Sequence, residues 1–205
     1  MNEGQGENAL TFVSFSDNTW KMDDVKKLLE AAAFAAKKHT GQNRKGKDEE
    51  PYINHPLEVA NLLASVGGVE DIDVLMAGLL HDIVEDTGTT RQELESKFGK
   101  RTVDIVLEVT DDKSLPKAER KRLQVEHAPQ LSDGAKLVKI ADKISNITDI
   151  LERPPSDWDD TRRREYVDWG VSVVKGLRGT NQSLERHFDD LIERAKTKRL
   201  TESSK

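Results

Sequence analysis

The chain has 205 residues, a net charge of −6 and no cysteine. This length suits one domain with a sizeable core, no apolar run approaches the about 18 residues of a membrane span, and the acidic balance argues against a general nucleic-acid coat. Without thiols, disulfides and thiolate metal sites are excluded, any metal must be held by His and carboxylate, and a reducing cytoplasm is the natural compartment.

In chain order, residues 1–20 are polar and rich in Gly, Asn and Ser. They read as a flexible N-terminal tail, without the basic start and apolar centre of a signal peptide. Asp23-Asp24 opens a first helix with Val25, Leu28, Leu29, Ala32 and Ala36 on one face, ending near His39-Thr40-Gly41. A polar loop over 42–50 carries Arg44 and Lys45. In Pro51-Tyr52-Ile53-Asn54-His55-Pro56, Pro56 suits the first turn of a second helix, with His55 at its cap. Leu57, Ala60, Leu63 and Ala64 give that helix an apolar stripe. A third helix is predicted from Asp73 to about Asp86, apolar at Leu75, Met76, Leu79, Leu80 and Ile83. Thr90 to Phe98 is short and Gly99 breaks it; Val103, Val106, Leu107 and Thr110 mark the next helix. Pro116 starts a basic helix with Lys117, Arg120, Lys121 and Arg122. Residues 134–151 hold Leu137, Ile140, Ala141, Ile144 and Leu151 in helical register until Pro154-Pro155. A helix around 161–178 carries Tyr166, Gly170, Val173, Val174 and Leu177, and the last one Leu184, Phe188, Leu191, Ile192 and Ala195 before a frayed end. With no strand-length alternation, the expectation is an all-α domain of eight or more helices over 21–196, followed by a C-terminal tail at 197–205.

The chemistry is concentrated in His81-Asp82-Ile83-Val84-Glu85-Asp86, directly behind Leu79 and Leu80. Burying four ionisable groups there is costly unless they are paired or metal-bound. On a continuous helix Glu85 lies one turn beyond His81, and Asp86 one turn beyond Asp82. That layout offers two metal ligands backed by two carboxylates able to move protons. His55 and Asp142 can complete the ligand set. Alone, His55 reads as a cap or loop residue and Asp142 as a solvated acid. With His81-Asp82 they form an ordered His…His-Asp…Asp set suited to Mn²⁺, Fe²⁺, Zn²⁺ or Mg²⁺. His39, His127 and His187 read as ordinary residues, His39 as a semi-buried one.

This ordered set resembles the signature of the HD phosphohydrolase superfamily. Arg44-Lys45, Pro51 to Pro56, His81-Asp82-x-x-Glu85-Asp86-Thr87, Val109 to Lys113, Glu119 to Gln124 and Lys139-x-Ala141-Asp142-Lys143-x-x-Asn146 are similar to the hydrolase domain of the RelA/SpoT alarmone enzymes. Glu165-Tyr166-x-x-Trp169 and the run from Val174 to Asn181 resemble its stand-alone form, the small alarmone hydrolases. The resemblance covers about residues 24–195. It implies an HD-domain helical bundle that removes the 3′-pyrophosphate of ppGpp or pppGpp, leaving GDP or GTP. It further implies one Mn²⁺ per site on His55, His81, Asp82 and Asp142, with Glu85 and Asp86 as the catalytic pair. The expected partner is this small nucleotide, with neither nucleic acid nor membrane. Arg44, Lys45 and Lys117 are the expected phosphate contacts, joined by Arg120, Asn146 and Tyr166. Much of the basic run from Lys113 to Arg122 reads as a solvated face, Tyr166 equally as a core aromatic, and Tyr52 as packing beside His55. Ser145 and Thr148 depart from the aromatic and Arg that animal members tend to carry. An alternative expectation keeps the metal chemistry on another phosphorylated nucleotide, such as the 2′-phosphate of NADPH. A sensor that binds without cleaving would have no use for Glu85-Asp86.

Overall fold

A computed structural model of the chain describes residues 21–45 and 50–202. The expected tail at 1–20 lies outside the described residues. Ten α-helices are described: α1 Met22–Lys38, α2 Asn54–Asn61, α3 Ile72–Leu80, α4 Ile83–Thr87, α5 Arg91–Phe98, α6 Lys100–Val109, α7 Lys117–His127, α8 Asp133–Glu152, α9 Asp160–Lys175 and α10 Gln182–Glu202. A π-type turn, Leu62–Val66, prolongs α2, and a 3₁₀ turn, Ala128–Gln130, prolongs α7. The fold is all-α, as expected. Among the described residues the sole strand-like pairing is an isolated bridge between Asn43 and Pro51, and no helix is long and apolar enough to cross a membrane.

Two helices form the centre. Every residue of α3 from Val74 to Leu80 is buried, and α3 packs against α1, α2, α6 and α8. The long helix α8 packs against α2, α3, α6, α9 and α10, burying Val138, Ile140, Ala141, Ile144 and Ile147. Each fully buried Leu, Ile or Val is worth about 1.5–3 kcal/mol relative to exposure, so the positions of these two helices are strongly fixed. Their approach to α2 is close. A Cβ on Gly78 would stand 2.7 Å from Leu63 Cδ1 and 3.5 Å from the Ala60 Cα. Only glycine lets α3 lie that near.

Side chains cap several helix starts. Thr90 accepts from the Glu93 N–H, Ser132 from Ala135 and Asp159 from Arg162, which satisfies amides that have no partner inside the helix.

The structure corrects three expectations. On α1 the buried stripe is Ala31 and Ala35, with Leu28 and Ala32 half-buried and Ala36 exposed. Leu29 is 65% exposed and Val25 37%. The alanines win the inner face because α1 packs against the apolar α3, where small side chains allow close approach. On α2, Leu57 is 44% exposed, because His55, Pro56 and Val59 take the inner face, and Ala64, inside the π-type turn, is also outward. Third, the helix predicted from Asp73 to Asp86 is broken at His81-Asp82, between α3 and α4. In a continuous helix the Gly78 carbonyl would accept from the Asp82 N–H. Here it accepts from the His81 imidazole Nδ1 at 2.8 Å. The side chain has captured the backbone acceptor, the usual way a polar residue interrupts a helix. Gly88, with φ 67°, ends α4 in the left-handed region.

Candidate metal centre and substrate cleft

Three elements deliver four ligand-type side chains to one buried point. His55 comes from the first turn of α2, His81 and Asp82 from the break after α3, and Asp142 from the middle of α8. His55 Nε2 lies 3.2 Å from His81 Nε2, 3.6 Å from Asp82 Oδ2 and 3.3 Å from Asp142 Oδ1. His81 Nε2 lies 3.1 Å from Asp82 Oδ2 and 3.8 Å from Asp142 Oδ1. The ligand atoms of His55, His81 and Asp82 all fall within 4.8 Å of one another. Asp142 approaches this trio through its contacts to the two imidazoles.

The surroundings turn acceptors inward. His81 Nδ1–H donates to the Gly78 carbonyl, so Nε2 is the nitrogen that faces the cluster. The Tyr52 Oη donates to Asp82 Oδ2 at 2.6 Å. Lys143 Nζ donates to Asp142 Oδ2 at 2.9 Å, and the Asn146 side-chain amide donates to Asp142 Oδ1. Burial opposes ionisation of Asp82, but the charge of His81 overrules it and holds the carboxyl well below its ordinary value. Asp142 is likewise driven down, against burial, chiefly by Lys143. Burial pushes His55 down. In His81, burial is outweighed by Asp82, which lifts the imidazole to about 9. Two carboxylates, Asp142 buried and Asp82 half-buried, thus meet two imidazoles around one point, an arrangement that suits a positive charge between them. A divalent cation with a preference for O and N donors fits that arrangement, and the donor set suits Mn²⁺, Fe²⁺, Zn²⁺ or Mg²⁺.

Glu85 and Asp86 stand on α4, past the break, so the single helical face expected for them and the ligands does not exist. Glu85 Oε2 accepts from the Asp111 N–H at 3.3 Å, while Oε1 lies 3.5 Å from Arg120 Nη1 and 3.8 Å from Lys113 Nζ. Burial, then the charge of Asp111, pushes the Glu85 carboxyl up. Asp86 pairs with Lys113, and its carbonyl accepts from the Gln42 amide at 3.0 Å.

A cleft of ≈ 390 Å³ opens beside the cluster. All six expected substrate contacts, Arg44, Lys45, Lys117, Arg120, Asn146 and Tyr166, line it. The four ligand-type residues do not; the cleft reaches them through Tyr52 and Asn146, which bond Asp82 and Asp142. Two expected contacts are already engaged. Arg44 pairs with Asp149 at 2.6 Å and donates to Asn146 Oδ1 at 3.0 Å, so it braces the Asn146–Asp142 pair. Arg120 faces Glu85 and Asp111 while its Nε has no partner. Lys117 and Lys45 are exposed. Lys117 is pushed down by burial and then by Arg162, Lys45 and Arg120.

The cleft also contains residues that the sequence reading passed over. Trp158, Tyr166 and Trp169 form a ring chain with centroids 5.5 and 5.2 Å apart. Lys121 Nζ stands 4.7 Å over Trp169, and Arg162 4.4 Å over Trp158. Tyr166 packs in this chain and lines the cleft at once, and burial pushes its phenol up to about 12. Tyr52 does pack against His39, at 4.8 Å between centroids, but its hydroxyl belongs to the cluster. His39 is buried with Nδ1 2.8 Å from the Gln42 side-chain oxygen. The x-x-Trp spacing after Tyr166 was the available signal for the aromatic chain; Arg162, Lys121 and Asp149 had none.

The chain is similar to several known proteins. An HD-domain family model matches residues 31–167. The guanosine-3′,5′-bis(diphosphate) 3′-pyrophosphohydrolase MESH1 of Xenopus tropicalis is 55% identical over 169 residues, 82% of this chain and 94% of that protein. The bifunctional (p)ppGpp synthase/hydrolase SpoT of Escherichia coli K12 is 35% identical over 148 residues, 69% of this chain but only 20% of SpoT. A solved metazoan SpoT orthologue that hydrolyses ppGpp and plays a role in starvation responses superposes with a TM-score of 0.82 at 44% identity, covering 86% of this chain and 98% of that one.

If the four acceptors hold a metal, His81→Ala removes a central donor. The variant is expected to lose divalent metal on gel filtration, as measured by elemental analysis against wild type. Full metal retention would take His81 out of the ligand set.

Proposed function

Since the chain belongs to the HD-domain family and, within it, to the stand-alone alarmone hydrolases, we infer that it is a guanosine-3′,5′-bis(diphosphate) 3′-pyrophosphohydrolase. It hydrolyses ppGpp to GDP and pyrophosphate, and pppGpp to GTP and pyrophosphate. One observation carries this reading: 55% identity to an enzyme of that name across nearly the whole of both the domain and the relative. A cytoplasmic setting is part of it, supported by the cysteine-free sequence.

In this reading His55, His81, Asp82 and Asp142 hold one divalent ion, and Mn²⁺ is the ion we propose. When bound, such an ion lowers the pKa of water and withdraws charge from phosphoryl oxygens. The support is the inward convergence of acceptors described above. Tyr52, Lys143 and Asn146 fix the carboxylates through their hydrogen bonds. Glu85 acts as the general base for the attacking water and returns a proton to the leaving 3′-oxygen. Its raised pKa supports that role, because a carboxyl pushed up by burial and by Asp111 is a better proton acceptor than a solvated one. Asp86 holds Lys113 where the departing pyrophosphate gains charge. Lys45, Lys117 and Arg120 meet the phosphates, Arg44 and Asn146 keep Asp142 in place, and Tyr166 with its neighbouring tryptophans receives the flat part of the nucleoside.

Product analysis tests the reading. Purified protein with ppGpp and Mn²⁺ is expected to release GDP and pyrophosphate, and to stop on chelation. Phosphate release from NADPH in a parallel reaction, with ppGpp intact, would move the substrate assignment while keeping the metal chemistry.

Glu85→Ala is expected to leave metal binding intact while kcat falls by about 10²–10⁴-fold, the range for acid–base groups. The sign of the pH effect follows from the raised pKa. Activity falls as pH drops and Glu85 takes up a proton, so the acid limb of kcat/KM lies above the ordinary carboxylate range. Asp111→Asn removes one of the charges that raise it and moves the limb to lower pH; an unmoved limb in that variant assigns it to another group.

Lys117→Ala is expected to raise KM roughly tenfold at low salt, the scale of one charge-assisted contact, with a smaller effect at higher salt. Steady-state kinetics at two ionic strengths measure this. An unchanged KM returns Lys117 to the solvated face.

A further inference from the structure

One hydrogen-bonded chain touches the centre from behind and belongs neither to the four ligands nor to the cleft. Ser145 lies on α8 among apolar neighbours and has 0% exposure. A hydroxyl that deep needs partners. Its Oγ donates to Glu58 Oε2 at 2.8 Å and lies 2.9 Å from His55 Nδ1. Glu58 is half-buried on α2, three residues after His55. We propose that Glu58 and Ser145 are positioning residues that hold His55 in the Nδ1–H tautomer and aim its Nε2 lone pair at the metal. The proposal rests on the reading of His55 as a ligand.

The proton count supports it. A serine hydroxyl has one proton and two lone pairs. That proton goes to the Glu58 carboxylate, so toward His55 the oxygen can only accept. His55 Nδ1 must then carry its hydrogen, and Nε2 is left bare. The opposite tautomer would set a bare Nδ1 against the Ser145 lone pair. It would also put a hydrogen on Nε2, the nitrogen that faces His81 Nε2 at 3.2 Å, and leave no lone pair there for a metal. His81 reaches the same tautomer by a different route, through the Gly78 backbone carbonyl. The backbone cannot be mutated away, but the His55 arrangement is built from side chains and can be. It also ties the first turn of α2 to α8 three residues beyond Asp142, so it fixes the distance between two ligands. Burial, the largest influence, pushes the Glu58 carboxyl up, against the Ser145 hydrogen bond and the charges of Arg44 and Arg153, which favour its charged form. Partners that orient a metal-bound histidine in this way raise its basicity, and losing them costs about 10–100-fold in metal affinity.

The experiment is a Mn²⁺ titration of the chelator-treated full chain, by competition with a fluorescent chelator, alongside the melting temperature of each metal-free protein. Ser145→Ala is expected to raise the Mn²⁺ Kd by about 10–100-fold. Glu58→Gln, whose amide oxygen can still accept from Ser145, is expected to raise it less. A merely structural role predicts a lower melting temperature with an unchanged Kd in both variants, and that result overturns the proposal. If Ser145→Ala does not fold, Ser145→Cys preserves the volume with a weaker donor and acceptor, and the same change in Kd decides. Wild-type protein that binds no Mn²⁺ while His81→Ala behaves identically would overturn the ligand reading itself, a result distinct from tight binding that is indifferent to Ser145.

Discussion

Two imidazoles and two carboxylates converging on one point are the constraint on which this structure turns. Two imidazole Nε2 atoms and two carboxylate oxygens meet at 3.1–3.8 Å, with both imidazoles and Asp142 buried and Asp82 half-buried. Left alone, that cluster is repulsive at short range, and buried uncompensated charge is among the most expensive arrangements a protein can hold. Every neighbour is arranged to make it more so on the inside. Tyr52, Lys143 and Asn146 donate to the carboxylates from outside, and the Gly78 carbonyl takes the outer hydrogen of His81. These hydrogens fix the carboxylates beside the two imidazoles. A cation is what such an inside requires.

The fold answers this demand with rigid elements. Asp142 sits at mid-length on α8, which five other helices hold in place. His81 and Asp82 follow seven consecutive buried residues of α3, so their backbone cannot drift without opening the core. The break between α3 and α4 is part of the same device. By taking the Gly78 carbonyl, His81 ends the helix and fixes its own ring in one step. The chain then turns, and Glu85 and Asp86 leave the ligand face for the loop at Asp111 and the cations Lys113 and Arg120. Asp82 and Glu85 are close in sequence yet occupy different environments, which is how two neighbouring carboxylates come to have different proton affinities.

That separation was not legible in the sequence. Nothing at positions 81–82 is a helix breaker by type, and the apolar period runs through to Ile83. The interruption is a side-chain-to-backbone capture that depends on a rotamer. The α1 face failed for a related reason. Val25 and Leu29 are the larger apolar groups, so burial preference alone selects them, whereas the α1–α3 contact selects the smaller Ala31 and Ala35 by distance. What was legible had redundancy. The remaining helices announced themselves through period and through breakers such as Gly99 and Pro154-Pro155. The assembly of His55, His81, Asp82 and Asp142 was readable because ligand-type residues occurred in order, each set against an apolar run. Asp149, Lys121 and Arg162 carried no such mark, since an Asp, Lys or Arg on a polar helix face is the commonest of patterns. Only the fold brings Arg44, α7, the end of α8 and α9 around one cleft.

The cleft resolves an apparent conflict between a chain of net charge −6 and a substrate made of phosphates. Net charge governs distant approach, but at contact the local sign decides. Here the cations are held by two distinct means. Arg44 is locked to Asp149, and its charge is largely spent on structure. Lys121 and Lys117 instead rest over the tryptophan faces, at 4.7 Å from Trp169 and 6.0 Å from Trp158. A ring quadrupole steadies a cation without cancelling it as a carboxylate would. Burial and mutual repulsion push both lysines down, which is the signature of positive charge concentrated beyond what its neighbours neutralise. In the proposed function a polyphosphate entering this cleft would relieve that repulsion, and a cation at Asp82 and Asp142 would let it approach those carboxylates. The aromatic chain and the metal centre are thus two halves of one electrostatic arrangement, one holding unneutralised positive charge at the rim and the other holding unneutralised negative charge at the base.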